Sequence, residues 1–198
     1  MYALPMNVQS VLSEQSIEPH KIGLRVEDFI LLQESGSFNA FAKAELIDGD
    51  IYTVNAIHRP HAGILADLSA DLVYAVRASG LALKVYTPVS TRLDDYNLPE
   101  PDLVIAMIEP EALVTGRSVR LAVEVSASSL DFDLGPKARL YARSSIPEYW
   151  VVDVAGRSIV QMTAPNEGVY SAIRDTPFGD RITLITIPQI AIDTTALA

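Results

Sequence analysis

PDLVIAMIEPEALVTGRSVRLAVEVSASSLDFDLGPK, residues 101–137, decides how this chain is read. Asp102 stands directly before the apolar run LVIAM, and Glu124 interrupts LAVEV, each run having the length and composition of a buried strand. An ionised carboxylate in apolar surroundings is costly unless a cation or strong hydrogen bonds compensate it. Two such groups at the ends of neighbouring strands repel each other, and a divalent metal between them is the commonest remedy. A lysine within reach, Lys137 after DFDLGP, completes a phosphodiester-cleaving constellation.

Each member also has an ordinary reading. Asp102 follows Pro101, whose fixed φ favours an extended start to the strand, and alone it also reads as a turn aspartate satisfied by backbone N–H groups. Alternation along VRLAVEV puts Glu124 on the face of Arg120 and Ala122, opposite Leu121, Val123 and Val125. A strand with one solvated face would accommodate it. Lys137 falls in the first turn of an expected crossover helix, behind Gly135 and Pro136, where a surface lysine is the usual outcome. Folded back towards the acids, its ammonium would stabilise developing phosphorane charge or orient an attacking water. Oxygen-only ligands favour Mg²⁺ or Mn²⁺ over zinc. Glu45 adds a possible fourth group, though by sequence alone it reads as a solvated strand residue.

Working outward, residues 25–36 (RVEDFILLQESG) place Val26, Phe29, Ile30 and Leu32 on one helical side, with Gly36 as the C-terminal cap. Residues 44–54 read as a hairpin around a D-G turn. Ile64, Leu65, Leu68, Leu72, Ala75 and Val76 give residues 61–79 the period of an amphipathic helix of about five turns. Strands are expected at 82–87, 102–108 and 119–125, with loops between them and one possible helical turn before residue 119. A helix over 134–145 then crosses to a buried strand at 149–154, and an A-G-R turn starts a hairpin into SIVQM. Short apolar runs from Val169 to Ile192 predict further edge strands. The whole predicts a mixed α/β sheet flanked by helices.

At 198 residues the chain fits one domain with a core of its own. Residues 1–22, with Pro5 and Pro19, read as a partly ordered N-terminal arm, and residues 23–198 as the domain. Hydrophobic content of 49% and charged content of 20% exclude long disorder. No apolar run approaches the roughly 18–20 residues of a membrane span, and the N-terminal residues carry no secretory signal. The absence of cysteine rules out disulfides and thiolate metal sites and fits a cytoplasmic setting. A net charge of −10 argues against a broad nucleic-acid-coating surface, leaving a local groove or a bound metal to act against the global sign.

Other chemistries lack their motifs. There is no H-E-x-x-H, no phosphate-binding glycine loop and no G-x-S-x-G. His61 reads as a cap or surface residue, His20 and His58 have no partner spacing, and Tyr149 and Trp150 read as core rather than as base-stacking groups.

The strings LPEPDLVI, LAVEVSASSLDFDLGPKARLYAR and IPEYWVVD, with AELIDGDIY and HAGILADL upstream, resemble the bacterial putative restriction endonuclease family. That family is abundant in cyanobacteria, was formerly a domain of unknown function, and is similar to the PD-(D/E)XK nuclease superfamily. The resemblance covers roughly residues 24–195 and implies a restriction-endonuclease-like α/β fold: a central mixed sheet flanked by helices, with additional hairpins. It matches Asp102 to the superfamily's aspartate, Glu124 to its second acid, and Glu45 to an early glutamate that assists metal binding. The lysine usually stands two residues after the second acid, where this chain has Ser126. Lys137 matches it from the following helix, within D-x-x-x-K after Asp133. Ala127 replaces a common aspartate, and Val54-Asn55 replaces a Met-[Ser/Thr]-Pro motif; neither is a core catalytic position.

The expectation is a Mg²⁺- or Mn²⁺-dependent endonuclease acting on DNA. Asp102 and Glu124 would hold the metal, Lys137 would stabilise charge or position water, and Glu45 would support the metal shell. A homodimer is the expected assembly, because cutting two strands calls for two sites. The alternative is a non-catalytic interaction module that keeps the fold and presents an acidic surface to a protein partner.

Overall fold

Alternating apolar residues in VRLAVEV build the strand at the heart of the molecule, with neighbours on both sides. The structure, a computed structural model, describes residues 21–54 and 59–198. The expected arm over residues 1–22 lies outside the described residues but for its last two positions, as do His20, Asn55 and His58.

The chain begins with helix α1 (Val26–Glu34), the hairpin β1 (Lys43–Ile47) and β2 (Asp50–Val54), and the long helix α2 (Arg59–Ser79). There follow β3 (Leu83–Tyr86), the two-residue β4 (Thr91–Arg92), β5 (Leu103–Met107), the two-residue β6 (Val114–Thr115) and β7 (Val119–Ser126). The crossover comprises α3 (Leu130–Phe132), a π-helical turn (Asp133–Lys137) and α4 (Ala138–Arg143). It leads to β8 (Glu148–Asp153), β9 (Ser158–Asn166), β10 (Val169–Pro177), β11 (Arg181–Thr183) and β12 (Ala191–Asp193). Six strands form the central sheet in the order β10-β9-β8-β7-β5-β3. It is mixed: β7 and β8 run parallel, joined by the crossover, and every other neighbouring pair is antiparallel.

Each face of the sheet buries its own core. Leu103, Ile105, Leu121, Val123 and Val125 pack with Leu68, Leu72, Ala75 and Val76 of α2. Val104, Ala122, Tyr149 and Val151 pack on the other side with Ala138, Tyr141 and Ala142. The face carrying Glu124 is therefore covered rather than solvated, and the glutamate is buried. Tyr149 and Trp150 are fully buried in the two cores, as the core reading of those residues required.

The β1–β2 turn shows why its sequence is D-G. Asp48 and Gly49 both take positive φ, at 53° and 76°, which suits a tight hairpin. A Cβ on Gly49 would also lie 2.6 Å from the Gly23 Cα, so the position accepts nothing larger.

Three details depart from the sequence expectation. Thr91–Arg92 pairs in parallel with Val114–Thr115, tying together two connections expected as loops. The crossover, expected over 134–145, starts at Leu130 and ends at Arg143. Gly135-Pro136 lies inside it, and Pro136 has no N–H to give a regular helix, so the ring widens and the Ala138 N–H reaches the Asp133 carbonyl. Among the described residues no helix is long and apolar enough to cross a membrane.

Candidate functional site

Strand alternation sets the first wall of the site. On β1, Leu46 is buried against Val26 and Phe29 of α1, so Lys43 and Glu45 face the opposite way, into a cavity of about 300 Å³. Asp102, immediately before β5, and Glu124, on β7, enter the same cavity from the central sheet. The π-turn supplies Asp133 and Lys137, and His61 on the first turn of α2 closes the group. Tyr52 and Val54 of β2, with Phe132, form an apolar lip, the Tyr52 and Phe132 rings lying 5.0 Å apart.

All four residues singled out from the sequence converge here. Lys137 Nζ lies 2.9 Å from Glu124 Oε1 and 3.0 Å from Glu45 Oε2, with Asp133 Oδ1 at 4.0 Å. The Tyr141 hydroxyl donates to Glu124 Oε1 at 2.9 Å, and the Glu100 backbone N–H donates to Glu45 Oε1 at 2.7 Å. The Val125 N–H donates to Asp102 Oδ2 at 2.8 Å, and His61 Nε2 meets the same oxygen at 3.1 Å. The hydroxyls of Ser126 and Ser129 both donate to Asp133 Oδ2, fixing the start of the π-turn. Ser126, where the resemblance would lead one to expect a lysine, instead anchors the turn that carries Lys137.

Three further side chains join the site. Lys43 was overlooked, yet its Nζ stands 3.5 Å from Asp102 Oδ1, 3.7 Å from Glu45 Oε1 and 3.8 Å from Glu124 Oε2. Its signal was the i, i+2 spacing to Glu45, which puts both on one face of a strand. His61, read as a cap or surface residue, holds Asp102, and its Nδ1 is buried with no partner among the described residues. Tyr141, which falls in the expected crossover helix, is a buried donor to Glu124.

The electrostatics separate the acids. Burial pushes Glu124 up to about 8, against the pull of Lys137 and Lys43. Repulsion from Asp102 and Glu45 adds to the shift, but burial is its main cause. Burial would raise Asp102 too, yet the His61 hydrogen bond, Lys43 and the Val125 N–H together hold it at about 2. Lys137 is raised despite its burial, because Glu124, Glu45 and Asp133 surround it. Burial and Glu124 push the Tyr141 phenol well up, so it stays a donor.

Among the described residues no trio of acids and histidines forms a ready-made metal cage. The donor set nevertheless fits a hard divalent cation. Four carboxylates, Glu45, Asp102, Glu124 and Asp133, face two ammoniums, Lys43 and Lys137. With every acid ionised, that leaves a deficit of two positive charges. Oxygens from Glu45, Asp102 and Glu124 already surround a cation, the Lys43 ammonium.

The family model described as "Putative restriction endonuclease" (Uma2) matches residues 26–195. No curated protein matches the chain. Among solved structures, a putative nuclease belonging to DUF820 from Anabaena variabilis is similar at 11% identity and a TM-score of 0.65. The match covers 88% of this chain and 97% of that one. At such identity the likeness concerns the fold, which is restriction-endonuclease-like.

Proposed function

Because the chain belongs to the Uma2 putative restriction endonuclease family, we propose that it is a divalent-metal-dependent endonuclease hydrolysing phosphodiester bonds in DNA. One observation carries the reading: Glu45, Asp102 and Glu124 gather their oxygens around a single cation in an open cavity, beside Lys137. Asp102 and Glu124 would hold Mg²⁺ or Mn²⁺, with Glu45 in support. When bound, such an ion polarises the phosphate and lowers the pKa of a coordinated water.

The chain's own residues do the rest. Asp102, held ionised by His61, Lys43 and the Val125 N–H, is an anionic ligand at neutral pH. Tyr141 and Lys137 fix the Glu124 carboxyl by donating to the same oxygen, leaving Oε2 towards Lys43. Lys137 keeps a positive charge beside the reacting phosphate, where charge builds in the transition state. Ser126 and Ser129 position it indirectly, through Asp133. The overall charge of −10 makes DNA binding depend on these local cations. A homodimer, one site per strand, belongs to the same reading.

The test is cleavage of plasmid and single-stranded DNA at low salt, with Mg²⁺ and Mn²⁺, by wild type, Glu124→Gln and Lys137→Ala. Wild type should cut, and each variant should lose at least about a hundredfold in turnover, as expected when a charge that acts in the transition state is removed. Equal cutting by all three would reveal a contaminant.

A second reading has its own support. Lys137 already compensates Glu45 and Glu124 at hydrogen-bond distance without a metal, which is the state a non-catalytic interaction module with this fold would keep. No cleavage by wild type with either metal on either substrate would favour it.

A further inference from the structure

Lys43 and Lys137 share carboxylate partners but are held very differently. Lys137 Nζ makes contacts of 2.9 and 3.0 Å, lengths typical of charge-assisted hydrogen bonds. Lys43 Nζ instead sits 3.5, 3.7 and 3.8 Å from three carboxylates that arrive from the start of β5, from β1 and from β7. It makes no hydrogen bond at ordinary length to any of them. An ammonium suspended among three acids neutralises them without being locked to one.

Resting on the metal-dependent reading above, we propose that Lys43 is the resident cation of the site. Its ammonium stands where the divalent metal binds, and it must leave for the metal to enter. The argument is steric and electrostatic. A small divalent ion needs oxygens at about 2.1 Å, so it and the ammonium exclude each other from the same carboxylate centre. Their like charges also repel at any distance the centre allows.

The ammonium has somewhere to go. Lys43 lines the cavity of about 300 Å³ and hangs on a flexible four-carbon stem from β1. A phosphodiester in that cavity offers the anion that would draw the ammonium out. Metal and phosphodiester therefore reinforce each other: each binds better once Lys43 has moved, and the coupling is reciprocal. Free protein holds the metal weakly and the substrate complex holds it firmly, so the charge needed for hydrolysis assembles only when a substrate is present.

The test is calorimetric titration of Mn²⁺ into wild type, Lys43→Gln and Lys43→Arg. Each is titrated alone, with dimethyl phosphate as a phosphodiester probe, and with uncharged trimethyl phosphate as control; circular dichroism checks the folds. Without diester, Lys43→Gln should bind Mn²⁺ about tenfold or more tighter than wild type, the scale of removing a like charge near the ion. Dimethyl phosphate should tighten Mn²⁺ binding severalfold in wild type and not in Lys43→Gln, and trimethyl phosphate should do nothing. Lys43→Arg, which keeps the cation, should follow wild type. Equal Mn²⁺ affinity in wild type and Lys43→Gln would overturn the role of Lys43 while leaving the metal site standing. If Lys43→Gln fails to fold, wild type decides alone, because a diester without effect on Mn²⁺ affinity overturns the proposal. Absence of Mn²⁺ binding in every protein would overturn the metal reading, and this inference with it.

Discussion

Glu124 and Asp102 face one cavity yet respond to pH in opposite senses. Glu124 is raised from 4.5 to about 8 in the folded chain, so between those values the native state keeps a proton that the unfolded state releases. Stability contributed by this group is present below pH 4.5 and is lost as pH rises towards 8, with a limiting slope of about 1.4 kcal/mol per pH unit. Asp102, lowered from 3.8 to about 2, contributes stability above pH 3.8 that disappears as pH falls towards 2. In urea unfolding without metal, wild type should therefore weaken from pH 5 to 8, and Glu124→Gln should flatten that decline. Parallel profiles for the two proteins would sink the assignment. Tyr141→Phe removes one of two donors to Glu124 Oε1 and should cost about 1–2 kcal/mol in the same assay. Glu124 was visible in the sequence because a carboxylate inside LAVEV is out of place and alternation fixed its face. Lys43 and His61 were not, because a strand lysine and a histidine near a helix start are ordinary until packing sets their neighbours. The spacing of Lys43 to Glu45 hinted at a shared face, but the approach of β1 and α2 to residue 102 is what brings both side chains to Asp102.

At the scale of elements, the π-turn decides where Lys137 points. Two serine hydroxyls and the Lys137 ammonium converge on Asp133, whose backbone carbonyl accepts from Ala138 N–H and the Tyr149 hydroxyl. Asp133→Ala should lower stability by about 2–3 kcal/mol, the scale of several lost buried hydrogen bonds. It should also weaken Mn²⁺ binding without abolishing it, since the proposed ligands remain. Urea unfolding and calorimetry on one preparation check both; a variant of unchanged stability would show that the clamp is idle. The family resemblance grouped Asp133 with Lys137 without saying how they meet, because nothing in DFDLGPK distinguishes a widened turn from a helix start. The D-G hairpin and the three- and four-residue spacing of α2 were legible, each being a local rule. The β4–β6 bridge was not, since two-residue strands have no period to read and pair across a gap of more than twenty residues.

Over the whole molecule, the net charge of −10 and the partly compensated cavity predict a response to divalent ions at saturating concentration. At a hundredfold excess over its dissociation constant, Mg²⁺ or Mn²⁺ should add about 2.7 kcal/mol to the unfolding free energy, and Asp102→Asn should abolish the gain. A melting temperature indifferent to metal both with and without dimethyl phosphate would count against the site. Sedimentation with and without metal tests the proposed dimer. The Lys137–Glu45 bond adds a consequence in time, for it joins residues 92 positions apart. Asp102, Glu124 and Asp133 lie between them, and β7 lacks its parallel neighbour until residue 153 exists. A chain leaving the ribosome would thus expose Glu45 and Asp102 before the lysine that completes the proposed centre is made. On the proposed reading, unfinished or truncated copies would lack the complete centre, so its assembly waits on the order of synthesis.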